Sequence, residues 1–185
     1  MDMKIEALTI DEFRDLYHRL YNLYNYEFKL KDVIHYFSWD DLCFYTHDKH
    51  AKSLRLITAY DDKEILGICL FAWWDYDNHY SMSYLSTNNK HFGKGISKKL
   101  ANGLFEYFSK TYPNETLYFS GYSVDGWKYL HPTVLKMSKL HNVKIKEKAL
   151  DFVLTWTDES RKLFDESRKE IKKLYPEYYI QLGYN

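Results

Sequence analysis

The chain has 185 residues and a mass of 22.5 kDa, enough for one domain whose core needs neither disulfides nor metals to hold it. Lysine and arginine together number 26, as do aspartate and glutamate, so no field of one sign covers the protein to recruit nucleic acid or an anionic membrane. The longest apolar run, around residues 65–74, falls well short of the roughly 20 residues that a bilayer span requires, and the expectation is a protein that does not cross a membrane.

Cys43 and Cys69 sit among apolar and aromatic neighbours, and Met1-Asp2-Met3-Lys4-Ile5-Glu6 alternates charge instead of building a secretory apolar segment. A reducing cytoplasm is the compartment expected. The aromatic content, 19 Tyr, 11 Phe and 5 Trp, suits base stacking or a carbohydrate platform, but its commoner use is to build a core.

Thr9 followed by Glu12 is a capping-box pair, and Ile10, Phe13, Tyr17, Leu20 and Tyr24 recur at helical spacing, which predicts an amphipathic helix over residues 10–28. Residues 31–45 predict one or two short helices, and 46–52 a polar loop. Residues 54–60 and 64–74 are rich in Leu, Ile and aromatics and are parted by Asp61-Asp62-Lys63, the pattern of a β-hairpin. A further strand is predicted over 80–87, with Met82, Tyr84 and Ser86 on one face and Ser81, Ser83 and Leu85 on the other. Beyond Gly93 and Gly95, the stripe Ile96, Leu100, Leu104 and Phe108, widened by Ala101 and Phe105, predicts a helix that Pro113 stops. A strand over 116–122, a short helix over 132–141 with Pro132 in its first turn, and an extended stretch over 143–156 follow. Residues 158–174 predict an added helix with i,i+4 pairs such as Asp158 with Lys162, and 178–183 a closing strand. The element order implies one domain, 1–185, of α/β (α+β) class: a mixed sheet with helices on its faces.

A strand, a glycine-bearing turn and an amphipathic helix in succession bring unpaired N–H groups and the positive end of a helix to one point, which attracts anions. Glycines at 93 and 95 let the backbone approach a phosphate with no Cβ in the way, and Lys90, Lys94, Lys98 and Lys99 add charge. The expected ligand is a pyrophosphate; the bland alternative is a glycine turn with solvated lysines. There is no third glycine and no acidic residue closing a second parallel strand, so this is not a dinucleotide-binding fingerprint, and no P-loop pattern is present.

The stretch Tyr84-Leu85-Ser86-Thr87-Asn88-Asn89-Lys90-His91-Phe92-Gly93-Lys94-Gly95-Ile96-Ser97-Lys98-Lys99-Leu100 resembles motif A of the GNAT acyltransferases. In that motif the end of the fourth strand is followed by Arg/Gln-x-x-Gly-x-Gly/Ala and a helix. The resemblance implies a GNAT-like, mostly antiparallel sheet whose bulged fourth strand splays from the fifth, with acetyl-CoA as co-substrate in the gap. It also implies that main-chain groups of Leu85, Ser86 and Thr87 hold pantetheine, and that the segment Phe92, Gly93, Lys94, Gly95, Ile96, Ser97 and Lys98 holds the pyrophosphate. With Leu100 aligned to the family's helix leucine, Phe92 stands at the Arg/Gln position and Ser97 where Gly or Ala is usual. A shifted register puts Lys90 at the Arg/Gln position but throws the helix stripe out of phase.

Acetyl transfer to an amine needs a neutral amine, a donor to polarise the thioester carbonyl and an acid for the leaving thiolate. The resemblance implies a tyrosine as that acid in the helix after strand five; here the position falls on Met137, which has no proton to give. Tyr122, Tyr129 and His131 are the substitutes nearby, with surface packing as the bland reading. Asp75, Asp77 and His79, at the turn into the fourth strand, are candidates for the base, the family's usual position falling near Ser81.

His47, Asp48 and His50 sit in a polar loop without a cysteine and are not read as a metal site. The basic residues of 136–148 and 161–173 are interleaved with Glu147, Asp158, Glu159, Asp165, Glu166 and Glu170 and read as a solvated face. The function expected is a cytoplasmic N-acetyltransferase moving acetyl from acetyl-CoA to a primary amine of a small molecule or polypeptide, with no metal; a homodimer is compatible. Two alternatives stand beside it: a CoA-binding or protein-interaction module with reduced catalysis, and a nucleic-acid-binding or base-modifying protein, against which the neutral charge counts.

Leu163, Ile171 and Leu174 give the predicted C-terminal helix an apolar side to bury. Truncation after Trp156 should therefore lower the melting temperature measured by calorimetry; an unchanged Tm and an unchanged mass in solution would mean a loose tail.

Overall fold

The computed structural model describes residues 2–21, 51–75, 77–119 and 126–147, together with Lys162, Lys169 and Lys173, each helical and exposed. The chain opens on a strand missed in the sequence, β1 (Lys4–Leu8). The alternation that argued against a secretory segment is the alternation of a half-buried strand: Met3, Ile5 and Ala7 pack on the core, while Lys4 and Glu6 are exposed.

Helix α1 (Ile10–Tyr21) begins on the predicted capping box. The Thr9 amide and hydroxyl donate to Glu12 Oε2 at 2.7 and 2.9 Å, and the Glu12 amide donates back to Thr9 Oγ1 at 3.2 Å. The expected continuation past Tyr21, with Tyr24, lies outside the described residues, as do the short helices within 31–45 and residues 46–50.

Strand β2 (Ala51–Tyr60) takes two residues from the expected loop and turns into β3 (Ile65–Trp74). Asp61 makes that turn by accepting from the amides of Lys63 and Glu64 at 2.8 and 2.9 Å. Strand β4 (His79–Thr87) follows, then a 3-10 turn (Asn89–His91) and helix α2 (Ile96–Thr111). The rest of the described chain is β5 (Thr116–Phe119), a π-helical turn (Gly126–Leu130), α3 (His131–His141) and β6 (Lys144–Glu147). Tyr122, the remainder of the expected strand over 143–156, and most of the added helix and closing strand lie outside the described residues.

Among the described residues six strands pair in chain order, β1 to β6, in one sheet. The first four run antiparallel, while β4, β5 and β6 are parallel neighbours. This is the mixed, mostly antiparallel sheet with helices on its faces that the sequence implied. α2 and α3 serve as the crossovers that parallel strands need.

The expected faces of β4 require a correction. Leu70 pairs with Tyr84 but Phe71 with Met82, so Ser83 is an extra residue, a β-bulge. Alternation restarts after it: Met82 and Leu85 pack with α2 on one side of the sheet, and Tyr84 turns to the α1 side. The bulge is held by the Trp74 indole N–H, which donates to Ser83 Oγ at 3.2 Å.

Each face of the sheet carries its own apolar layer. Phe13, Leu16 and Tyr17 of α1 meet Leu56, Tyr60, Ile65, Ile68 and Leu70 on one side. On the other, α2 buries Ile96, Leu100, Ala101, Leu104, Phe105 and Phe108, the stripe expected from the sequence. Each of its large side chains contributes roughly 1.5–3 kcal/mol in burial. α2 is seated so closely that a Cβ on Gly67 of β3 would lie 3.0 Å from Leu100 Cδ1 and 2.7 Å from the Ser86 carbonyl oxygen.

Burial pushes the hydroxyls of Tyr21 and Tyr80 up to about 12, against an ordinary 10.0; around Tyr80 the neighbouring Tyr112 adds to it. The folded chain thus keeps protons that the unfolded chain gives up, so this stability is whole below pH 10 and is lost as pH climbs towards about 12. Alkaline titration followed by circular dichroism and tyrosinate absorbance should show unfolding in that window, and Tyr80→Phe should move its midpoint upward; an unmoved midpoint would remove Tyr80 as a cause.

Candidate active site

The direction of the main chain along β4 follows from one bond. The Asn88 amide donates to the Leu66 carbonyl at 2.9 Å, towards β3. Strand alternation then turns the main-chain groups of Ser86 and Tyr84 to β3 and those of Leu85 and Thr87 away from it. Among the described residues β5 meets β4 only at Tyr80, Ser81 and Met82, before the bulge. Beyond Met82 the outward main-chain groups of Leu85 and Thr87 have no partner among the described residues, the kind of edge on which an extended chain lies as an extra strand.

That edge runs into the glycine turn. Gly93 and Gly95 have φ of 78° and 72°, in the left-handed region where a side chain is strained, and a Cβ on either would meet no described heavy atom within 4 Å. Backbone shape fixes glycine here, and the space over the turn is open. The Lys94 amide is taken by the His91 carbonyl at 3.3 Å, and the first amide bonded back into the helix is that of Lys99, to Gly95 at 3.2 Å. The amides of Gly93, Gly95, Ile96, Ser97 and Lys98 have no acceptor among the described residues, and no side chain caps the helix. The Ile96 side chain is buried in the core, leaving its main chain to the turn. Phe92, which the preferred register of the resemblance sets at the Arg/Gln position, is 68% exposed and offers a ring but no charge.

The turn is braced from below by groups not singled out as partners in the sequence. Glu64, at the entry to β3, accepts from His91 Nε2 at 2.7 Å through Oε1 and from Asn88 Nδ2 at 3.2 Å through Oε2. Lys94 Nζ lies 2.9 Å from His91 Nδ1, and Asn88 Oδ1 accepts the Lys90 amide at 3.0 Å. Running the β3–β4 register on past Gly67 and Thr87 puts Glu64 beside this turn, a signal present once the hairpin is read as paired.

Asp77 and His79 do come together. His79 donates from Nδ1 to the Asp77 carbonyl at 2.8 Å, which leaves Nε2 the acceptor of the neutral ring, with Asp77 Oδ2 at 3.8 Å. The ring is buried and stacked on Tyr118, centroids 3.9 Å apart. It stands four residues before the bulge, roughly 13 Å along the strand. Asp75 is engaged by Lys52 at 2.9 Å.

Tyr129 and His131 flank the junction of the π-helical turn with α3 and differ in access: Tyr129 is exposed, with Lys128 Nζ 5.0 Å from its ring centre, and His131 is fully buried. Tyr122 lies outside the described residues. Met137 lines an open groove of about 680 Å³ along α2, with Lys98, Asn102, Tyr107 and Lys136.

A family model described as the acetyltransferase (GNAT) family matches residues 11–119, more than half of the chain. The match takes in β4, the glycine turn, α2 and β5, and stops before α3. No curated protein matches the sequence. Two solved structures are similar, both chimeras of the spermidine N-acetyltransferase SpeG from Vibrio cholerae with hSSAT. Each is 18% identical over 76% of this chain and 80% of its own, with TM-scores of 0.39 and 0.40.

Proposed function

The chain belongs to the acetyltransferase (GNAT) family, and from that premise we propose that it transfers an acetyl group from acetyl-CoA to a primary amine of a small molecule or polypeptide. The observation that carries this reading is the junction of a strand edge that has no partner among the described residues with a glycine turn whose amides likewise have none. The outward main-chain groups of Leu85 and Thr87 suit the amides of a pantetheine arm, and the amides of Gly93, Gly95, Ile96, Ser97 and Lys98 suit a pyrophosphate. The lysines at 90, 94, 98 and 99 add charge at the same turn. The proposed compartment is the cytoplasm, in keeping with the free, buried thiol of Cys69.

Acetyl-CoA supplies the activated thioester; the chain must hold the acyl carbon against the amine, polarise the carbonyl and move two protons. The bulge at Ser83 frees main-chain groups for the carbonyl. His79, steadied by Asp77, is the proposed base for the amine proton, reached through water because of its distance along β4. Tyr129 is the proposed acid, being the exposed member of the candidate set, with His131 and Tyr122 behind it. A thiol with pKa about 8.5 is already a fair leaving group, so this acid has little work to do.

Calorimetry with acetyl-CoA tests the donor site. Gly95→Asp keeps a residue type that tolerates the left-handed region yet adds bulk and negative charge to an anion seat, and it should abolish binding; unchanged affinity in a folded variant would sink the reading. A screen of amine acceptors tests the reaction. Tyr129→Phe should lower kcat about 10²-fold with acetyl-CoA affinity nearly intact, and equal turnover in Tyr129→Phe, His131→Gln and Tyr122→Phe would remove all three as essential acids. Binding without turnover is the result expected of a catalytically reduced module, which Met137 at the family tyrosine's position favours.

A further inference from the structure

A chain of hydrogen bonds, Glu64–His91–Lys94, runs beneath the glycine turn from a half-buried carboxylate through a buried ring to an exposed ammonium, and Glu64 and His91 have no part in the chemistry just described. Its proton pattern is dictated by its ends. An ammonium can only donate, so His91 Nδ1, 2.9 Å from Lys94 Nζ, is the acceptor. A carboxylate can only accept, so His91 Nε2, 2.7 Å from Glu64 Oε1, carries the hydrogen. The ring is neutral in this arrangement, buried, and serves as a connector between a carboxylate on β3's approach and a cation at the turn. Glu64 holds the other end of the 3-10 turn as well, through Asn88.

Lys94 stands between the two left-handed glycines, so its main chain is part of the cradle whose free amides surround it. Without a tether, an exposed lysine there would sample many rotamers and lend its charge to the turn only part of the time. Tied to His91, it is fixed at the turn before any ligand arrives. We propose that Glu64 and His91 are positioning residues for the phosphate site: through the Nε2-protonated ring they hold the Lys94 ammonium and the backbone on either side of it in the binding geometry. This rests on the reading of the turn as the seat of the acetyl-CoA pyrophosphate.

The test is acetyl-CoA affinity and steady-state kinetics on the full chain. His91→Ala and Glu64→Gln should raise Kd and KM for acetyl-CoA about tenfold with kcat within about twofold, since a charge-assisted link to the binding site is lost while the reacting atoms are untouched. Lys94→Ala should have a similar effect, and adding His91→Ala to it should cost nothing more, because both act through one ammonium. His91→Gln, whose amide accepts at one end and donates at the other, should restore most of the affinity that His91→Ala loses. In the free protein, nitrogen NMR of the imidazole should report the neutral ring with its hydrogen on Nε2.

A folded His91→Ala with unchanged affinity would overturn the proposal, as would additive losses in the double variant or a ring with its hydrogen on Nδ1. Should His91→Ala unfold, Glu64→Gln and the NMR signature decide it alone. Wild-type protein that fails to bind acetyl-CoA would overturn the cofactor reading and this proposal together, whereas wild-type binding with indifferent Glu64 and His91 variants overturns this proposal alone.

Discussion

Ser83 has no partner opposite it in β3, because Leu70 takes Tyr84 and Phe71 takes Met82. One surplus residue in a strand does two things at once: it re-phases every side chain that follows, and it bends the strand away from its neighbour. Here the first effect sends Tyr84 to the α1 side and keeps Leu85 under α2, so both apolar layers stay filled past the irregularity. The second acts where the described part of β5 ends, its pairing with β4 reaching Met82. Everything proposed for the donor site, from the outward groups of Leu85 and Thr87 to the glycine turn at the strand's end, lies beyond that point.

An unpaired edge alone would be a liability, and the turn beyond it sets two left-handed glycines, Gly93 and Gly95, on either side of Lys94. The structure offsets both by anchoring. α2 is pressed onto Gly67 through Leu100 from one side, while Glu64 reaches from the β2–β3 turn to Asn88 and His91 from below. The stretch of β4 after the bulge, whose outer edge has no partner among the described residues, is thus held firmly along its inner edge and at its end. That is what lets free amides remain aimed outward, since groups left without partners stay in place only where the surroundings over-determine them.

Elements written by short-range pattern were legible in the sequence. The stripe of α2, the Thr9–Glu12 capping box, the Asp61 turn and the glycine pair are all set by residues within a few positions of one another. What escaped depends on register between segments. The faces of β4 were assigned by unbroken alternation, which no local signal contradicts, yet the bulge is defined only against β3. The hydrogen bond between Glu64 and His91 links residues 27 apart and becomes visible only when the hairpin pairing is carried beyond its last strand residue. β1 was hidden for another reason: five residues of mixed charge hold too little apolar pattern to declare a strand, and it is the partner β2 that makes it one. On the acid and base side the sequence offered residue types without geometry, and Tyr129 and His131, alike as candidates on paper, turn out to differ completely in access to water.

The order of the described strands in the sheet is their order in the chain, yet their pairings differ in range. β2, β3 and β4 are joined by turns of a few residues, whereas β5 and β6 reach the sheet through crossover helices. The seam between the two parts is, among the described residues, the short run of three residue pairs joining β4 to β5, helped by the packing of α2 on α3. Native proteins open first along such lines, and hydrogen exchange reads them as units of lower protection. A ligand lying in the notch beside β4 would touch both sides of the seam, so it would raise the cost of partial opening as well as of complete unfolding, and the amides of β5 and β6 would slow in exchange along with those of the strand it covers.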